Sequence, residues 1–125
     1  MDINILKVDA RVPVTIFQLD GMLNMGSSGA LQQKAVEQRQ AGMRYMLLDL
    51  SKLTSLSSAG LRVIQFVYKL LQEGDDSTSP RKSGEKSPYL KLLNPMPDIQ
   101  RVLSIAGFDT FIDVFFDRDE ALRSF

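Results

Sequence analysis

Tyr45-Met46-Leu47-Leu48-Asp49-Leu50 is apolar at every position but Asp49. A run of this length without alternation predicts a central strand buried on both faces. A cluster of small hydroxyl residues closes it, Ser51, Thr54, Ser55, Ser57 and Ser58, and a second pattern begins at once. From Ser58 to about Glu73, the polar residues Arg62, Gln65, Lys69 and Gln72 recur at spacings of three and four. They form one narrow polar stripe on a helix that is otherwise largely apolar (Leu61, Val63, Ile64, Phe66, Val67, Tyr68, Leu70, Leu71). That apolar arc is wider than one sheet face requires. Burial under a neighbouring helix and loops explains it; the alternative is an exposed edge of Val63, Phe66 and Leu70 that docks a partner.

The rest of the chain follows the same two periods. Val14-Thr15-Ile16-Phe17-Gln18-Leu19 reads as a strand closed by a turn at Asp20-Gly21, and an earlier strand around Ile3 to Val8 pairs with it. Gly26-Ser27-Ser28-Gly29 is a loop or helix entry. Ala30 to Gln40 is a helix with Leu31, Ala35 and Val36 inward, stopped at Ala41-Gly42. Between Gly74 and Pro88 the residues turn small, polar and charged, and those from Asp75 to Ser87 offer nothing to a core, so 75–88 is expected to be a mobile surface loop. The pattern resumes with a strand at Tyr89–Leu93, a turn at Asn94-Pro95 and a helix from Pro97 to about Ala106 stopped by Gly107. A strand at Phe111–Phe115 and a short helix from Asp117, its acids at the N-terminal end, complete it. Strands alternating with helices after the first pair predict one α/β domain over residues 1–125, a mixed sheet of about four to five strands with helices packed against it.

Composition narrows the chemistry. Lys plus Arg and Asp plus Glu number 15 each in 125 residues, so no whole-molecule field attracts nucleic acid or an anionic membrane. There is no cysteine and no histidine. Disulfides, thiolate nucleophiles, the usual general base and the common zinc ligands are therefore missing. The beginning Met1-Asp2-Ile3-Asn4-Ile5-Leu6-Lys7 shows no secretory signal. No apolar stretch approaches the ~18 residues needed to span a bilayer. The expectation is a cytoplasmic non-enzyme with no cofactor, no metal, no direct nucleic-acid contact and no membrane insertion. Carboxylates such as Asp49, Asp113 and Asp117 form no recognisable catalytic constellation, and no phosphate-cradling glycine motif is present.

The hydroxyl cluster carries the remaining chemistry. A strand running into a helix places a serine, Ser58 or Ser57, at the helix N-terminus, where free N–H groups and the macrodipole favour negative charge. Ser57 as the cap with Ser58 as the first helical residue is one arrangement, and sequence alone leaves open which hydroxyl is which. Asp49 is either a cap for the following loop or an acid beside the serine site. Met22 and Met25 flank the loop expected near the serine, as flexible contact groups or as core filler.

Leu19-Asp20-Gly21 with Leu23, Met46-Leu47-Leu48-Asp49-Leu50-Ser51, Ser57-Ser58-Ala59-Gly60-Leu61-Arg62 and Val102-Leu103-Ser104-Ile105-Ala106-Gly107-Phe108 together resemble the STAS family, and within it the anti-sigma factor antagonists of bacterial transcription. The resemblance spans nearly the whole chain. It implies a partner-switching cycle. The unphosphorylated antagonist binds a serine kinase that is also an anti-sigma factor, is phosphorylated on a serine at the start of the second helix and is released, and a metal-dependent serine phosphatase resets it. The acceptor aligns with Ser58, with Ser57 as runner-up. The implied docking set is Asn24, Met25, Ser57, Ser58, Ala59, Gly60, Arg62, Val63 and Phe66. Two positions depart from the family habit of aspartate, Ser57 before the acceptor and Asn24 after the second strand, and Asp75 to Ser87 is an insertion. The competing expectation is an unphosphorylated scaffold subunit of the same fold, for example in a membrane transport complex.

Overall fold

In the computed structural model, which describes residues 1–73 and 86–125, the sheet is laid down in sequence order. Strands β1 (Asp2–Asp9), β2 (Pro13–Leu23), β3 (Tyr45–Leu56), β4 (Leu90–Leu93) and β5 (Asp113–Phe115) lie side by side as 1-2-3-4-5. β1 and β2 form an antiparallel pair and every later neighbour is parallel. Parallel neighbours need a crossover, and the helices supply it. They are α1 (Met25–Gln40), α2 (Ser58–Gln72) and α3 (Pro97–Ile105), while α4 (Arg118–Arg123) follows β5. This is the mixed α/β sheet expected from the sequence.

The two faces of the sheet are covered differently. Leu31 and Ala35 of α1, Val63, Ile64, Val67 and Leu71 of α2, and Ile99 and Leu103 of α3 share one core with Phe17, Leu19, Met46, Leu48 and Leu50. Ala121 and Leu122 of α4 pack with Val14, Ile16, Leu47 and Leu93 in a second, smaller cluster. Alternation along the strands explains the division, since Met46, Leu48 and Leu50 face one way and Leu47 the other. β3 is thus buried on both faces.

Several boundaries differ from the sequence reading. Asp20-Gly21 is not a turn. β2 continues to Leu23, pairing Asp20 with Lys52 and Gly21 with Leu53 across irregular register. Gly21 takes φ +117, so the glycine marks a bulge inside a strand, which needs the same backbone freedom as a turn. β3 likewise runs through the hydroxyl cluster to Leu56, with Thr54 and Ser55 exposed. α1 begins at Met25, five residues before the expected Ala30, because Asn24 and Ser27 cap each other's backbone N–H groups. Phe108–Thr110 forms a 3-10 turn, and only Asp113–Phe115 of the expected Phe111–Phe115 strand is extended.

Of the two readings of the wide apolar arc of α2, burial holds: Val63 and Leu70 lie in the main core, with Phe66 half-buried against it. Most of the loop expected at 75–88 lies outside the described residues. Its end is described, and there Ser87 is 1% exposed. Its Oγ accepts from the N–H groups of Tyr89 (3.1 Å) and Leu90 (3.3 Å), so the hydroxyl is buried because it begins β4.

Candidate partner-docking site

One residue separates β3 from α2. Ser57 has extended backbone (φ −95, ψ 176) and is the N-cap. Its Oγ accepts from Gly60 N–H at 3.4 Å, its carbonyl accepts from Leu61 N–H at 2.9 Å, and its own N–H donates to the Leu23 carbonyl at 3.0 Å. Ser58 is the first helical residue. It is exposed, and its hydroxyl has no hydrogen-bond partner among the described residues. The two serines therefore divide the work: Ser57 terminates the helix and Ser58 faces solvent.

Gly60 sets how closely the helix can approach. A β-carbon there would stand 2.6 Å from Leu56 Cδ1 and 2.7 Å from the Leu23 carbonyl oxygen. Only a residue without one lets the first turn of α2 rest on the end of β2. That contact, together with the Leu23–Ser57 hydrogen bond, fixes the position of Ser58.

The start of α1 is built beside it. Met22 and Leu23 pair with Ser55 and Leu56, so β2 and β3 end together and their helices begin as neighbours. Asn24 Oδ1 accepts from Gly26 N–H at 2.9 Å. Ser27 Oγ accepts from Asn24 N–H at 3.0 Å and donates to the Met22 carbonyl at 2.7 Å. These bonds hold Met25 outward, 85% exposed, with Met22 55% exposed next to it. A shallow groove of ≈ 270 Å³ separates the two helix starts, lined by Met25, Ser28, Gln32, Ala59, Arg62 and Val63. Arg62 is the charged member of that lining, and it makes no ion pair or hydrogen bond among the described residues.

Asn24, Met25, Ser57, Ser58, Ala59, Arg62 and Val63 thus come together at one end of the sheet. Val63 contributes the groove floor from an otherwise buried position, Gly60 lies beneath the surface, and Phe66 sits further along α2. Asp49 is elsewhere. Its Oδ1 accepts from Ser51 N–H at 3.0 Å, and it lines a small polar hollow with Asn4, Gln18, Asp20 and Lys52. It alternates with Leu48 and Leu50 and so faces away from α2, about 20 Å along β3 from its end. Its hydrogen bond with Ser51 is local to β3, which continues to Leu56 rather than giving way to a loop. Sequence reasoning missed Ser28 because it began α1 too late, for which the Asn24-to-Ser27 capping spacing was the available signal, and missed Gln32 because its place opposite α2 rests on helix packing. Among the described residues no cluster of three or more carboxylates could hold a metal ion, and no helix is long and apolar enough to cross a membrane.

Comparison with known proteins returns to the same segments. Residues 6–75 match the STAS domain family. A Bordetella bronchiseptica protein, BtrV, assigned as an anti-sigma factor antagonist, is 30% identical over 125 residues, covering 100% of this chain and 95% of its own. An anti-sigma factor antagonist of the same standing from Thermotoga maritima superimposes with a TM-score of 0.77 at 22% identity, over 95% of this chain and 90% of that one. The Bacillus cell-fate determinant SpoIIAA in its phosphorylated form gives a TM-score of 0.65 at 16% identity, over 96% of both chains. At these identities the two structures bear on the fold alone.

Proposed function

This chain belongs to the STAS domain family, and we propose that it is an anti-sigma factor antagonist switched by phosphorylation of Ser58. The observation that carries the reading is the placement of Ser58: an exposed hydroxyl, unpartnered among the described residues, at the first position of α2, beside an open groove and the exposed Met25. In the unmodified state the partner, a serine kinase that is also the anti-sigma factor, packs over Met25, Ala59 and Arg62. The kinase transfers the γ-phosphoryl group of ATP to Ser58 Oγ, the hydroxyl proton leaves and ADP is formed. A metal-dependent serine phosphatase hydrolyses the ester and restores the binding form.

The physical basis is a change of charge on an unchanged fold. The phosphate adds about −1.5 to −2 charges at neutral pH. The Ser58 hydroxyl makes no hydrogen bond among the described residues and is exposed, so its modification leaves the core untouched. A partner seated over it must desolvate a dianion, at a cost of several kcal/mol where no matching cation is offered. Each 1.4 kcal/mol is about tenfold in affinity.

Mass spectrometry of the protein purified from its own host, with the proteins that accompany it, tests the reading. One phosphate on Ser58 and a co-purifying serine kinase are expected, with the kinase retained by Ser58→Ala and lost with Ser58→Asp. Continued single-site labelling of Ser58→Ala by that kinase and ATP would overturn the acceptor assignment.

A further inference from the structure

Arg62 is a cation without a counter-charge among the described residues. It is exposed on α2, makes no ion pair or hydrogen bond among the described residues, and no acid occupies the first turn of the helix. Across the groove α1 presents Met25, Ser28 and Gln32, none of them charged. Arg62 lies four positions after Ser58, and both are exposed on the same helix. Residues at that spacing sit one above the other, with β-carbons about 6 Å apart. Helical side chains lean toward the N-terminus, so a long side chain at position 62 reaches back over the turn that carries Ser58. An anion placed N-terminal to its cation at this spacing has the more favourable of the two orders.

Resting on the proposed acceptor role of Ser58, we infer that Arg62 is the internal counter-ion of the phosphorylated serine. The phosphate then acts twice. It places negative charge at the docking surface, and it occupies the guanidinium that the unmodified protein holds free for a partner's carboxylate. The groove lining changes from carrying one unpaired cation to carrying none, with an excess of negative charge beside it. Arg62 also offers the modified state a local ion pair, so the dianion is accommodated without movement of either helix.

The pair can be read without the partner. Phosphoserine is installed at position 58 during translation by genetic encoding, and its second ionisation is followed by ³¹P NMR at about 10 mM salt, where screening is weak. The energy typical of an exposed i, i+4 ion pair corresponds to roughly 0.3 pKa unit. Arg62→Gln is therefore expected to raise the phosphate midpoint by about that amount, Arg62→Lys to keep it near the parent value, and added salt to shrink the difference. Equal midpoints in the parent and Arg62→Gln proteins would overturn the pairing, as would an Arg62→Lys midpoint as high as that of Arg62→Gln. Because the phosphate is encoded rather than added by a kinase, an unmoved titration counts against the pairing alone. An unphosphorylated Ser58 in the host protein counts against the acceptor role alone.

Discussion

Leu23 and Gly60 meet where β2 ends and α2 begins: a β-carbon on Gly60 would stand 2.7 Å from the Leu23 carbonyl oxygen and 2.9 Å from Leu23 Cγ. The same Leu23 carbonyl accepts the Ser57 N–H. A single backbone carbonyl thus anchors the cap of α2 and limits what its first turn can contain.

Gly60→Ala sets two effects against each other. Helix propensity favours alanine by up to about 1 kcal/mol. Overpacking against an immovable backbone oxygen typically costs about 1–3 kcal/mol. The clash is with backbone as well as side chain, so a net loss of stability is expected, read as a lower urea midpoint with an unchanged slope. A higher midpoint would show that α2 can lift away from Leu23 at little cost.

The two adjacent serines are expected to behave differently. Ser57→Ala removes the cap and should cost about 0.5–1 kcal/mol, toward the low end of cap substitutions because the bond to Gly60 N–H is long at 3.4 Å. Ser58→Ala removes an exposed hydroxyl that has no partner among the described residues and should leave stability within about 0.5 kcal/mol. Thermal unfolding of both variants decides it; equal losses would mean that the capping roles are shared.

Met25→Ser tests the docking surface apart from the fold. At 85% exposure its thioether adds nothing to the core, so the unfolding midpoint should not move. Retention of the serine kinase proposed as its partner should fall. Unchanged retention would place the contact elsewhere.

Lys91 provides a test of the opposite side of the sheet. It is 5% exposed, lies 3.4 Å from Asp113 and stands over the rings of Phe115 and Phe125. Asp113→Asn strips the buried ammonium of its anion. Partial exposure of Asp113 reduces the usual ~3–5 kcal/mol for breaking a buried pair to about 1–2 kcal/mol. Lys91→Met keeps the volume and removes the charge, and should change stability by less than about 1 kcal/mol. On that background Asp113→Asn should cost only its partly exposed pair with Lys86, less than about 1 kcal/mol, which a double-mutant cycle in urea measures.

The elements written in local periodicity were legible. The polar stripe of Arg62, Gln65, Lys69 and Gln72 predicted α2, observed as Ser58–Gln72, and the apolar run from Tyr45 predicted a strand covered on both faces. Less legible were features in which one signal serves two structures. Gly21 could close a turn or bend a strand, and pairing with β3 made it a bulge. Ser87 read as solvated, yet its hydroxyl is buried because two N–H groups at the start of β4 bind it. The wide apolar arc of α2 was compatible with an exposed edge until packing placed Val63 and Leu70 in the core.

From its residues alone this chain was bound to be a strand–helix alternation with a serine pair opening its second helix and no thiol or imidazole chemistry. Side-chain period and end signals act within a few residues, so they survive in the linear order. Tertiary structure alone decided that Ser57 is the cap and Ser58 the exposed first helical residue, that Asn24 and Met25 stand beside them, and that Asp49 faces away. Those relations depend on the register Met22 to Ser55 and Leu23 to Leu56, a pairing between segments distant along the chain that no local pattern encodes.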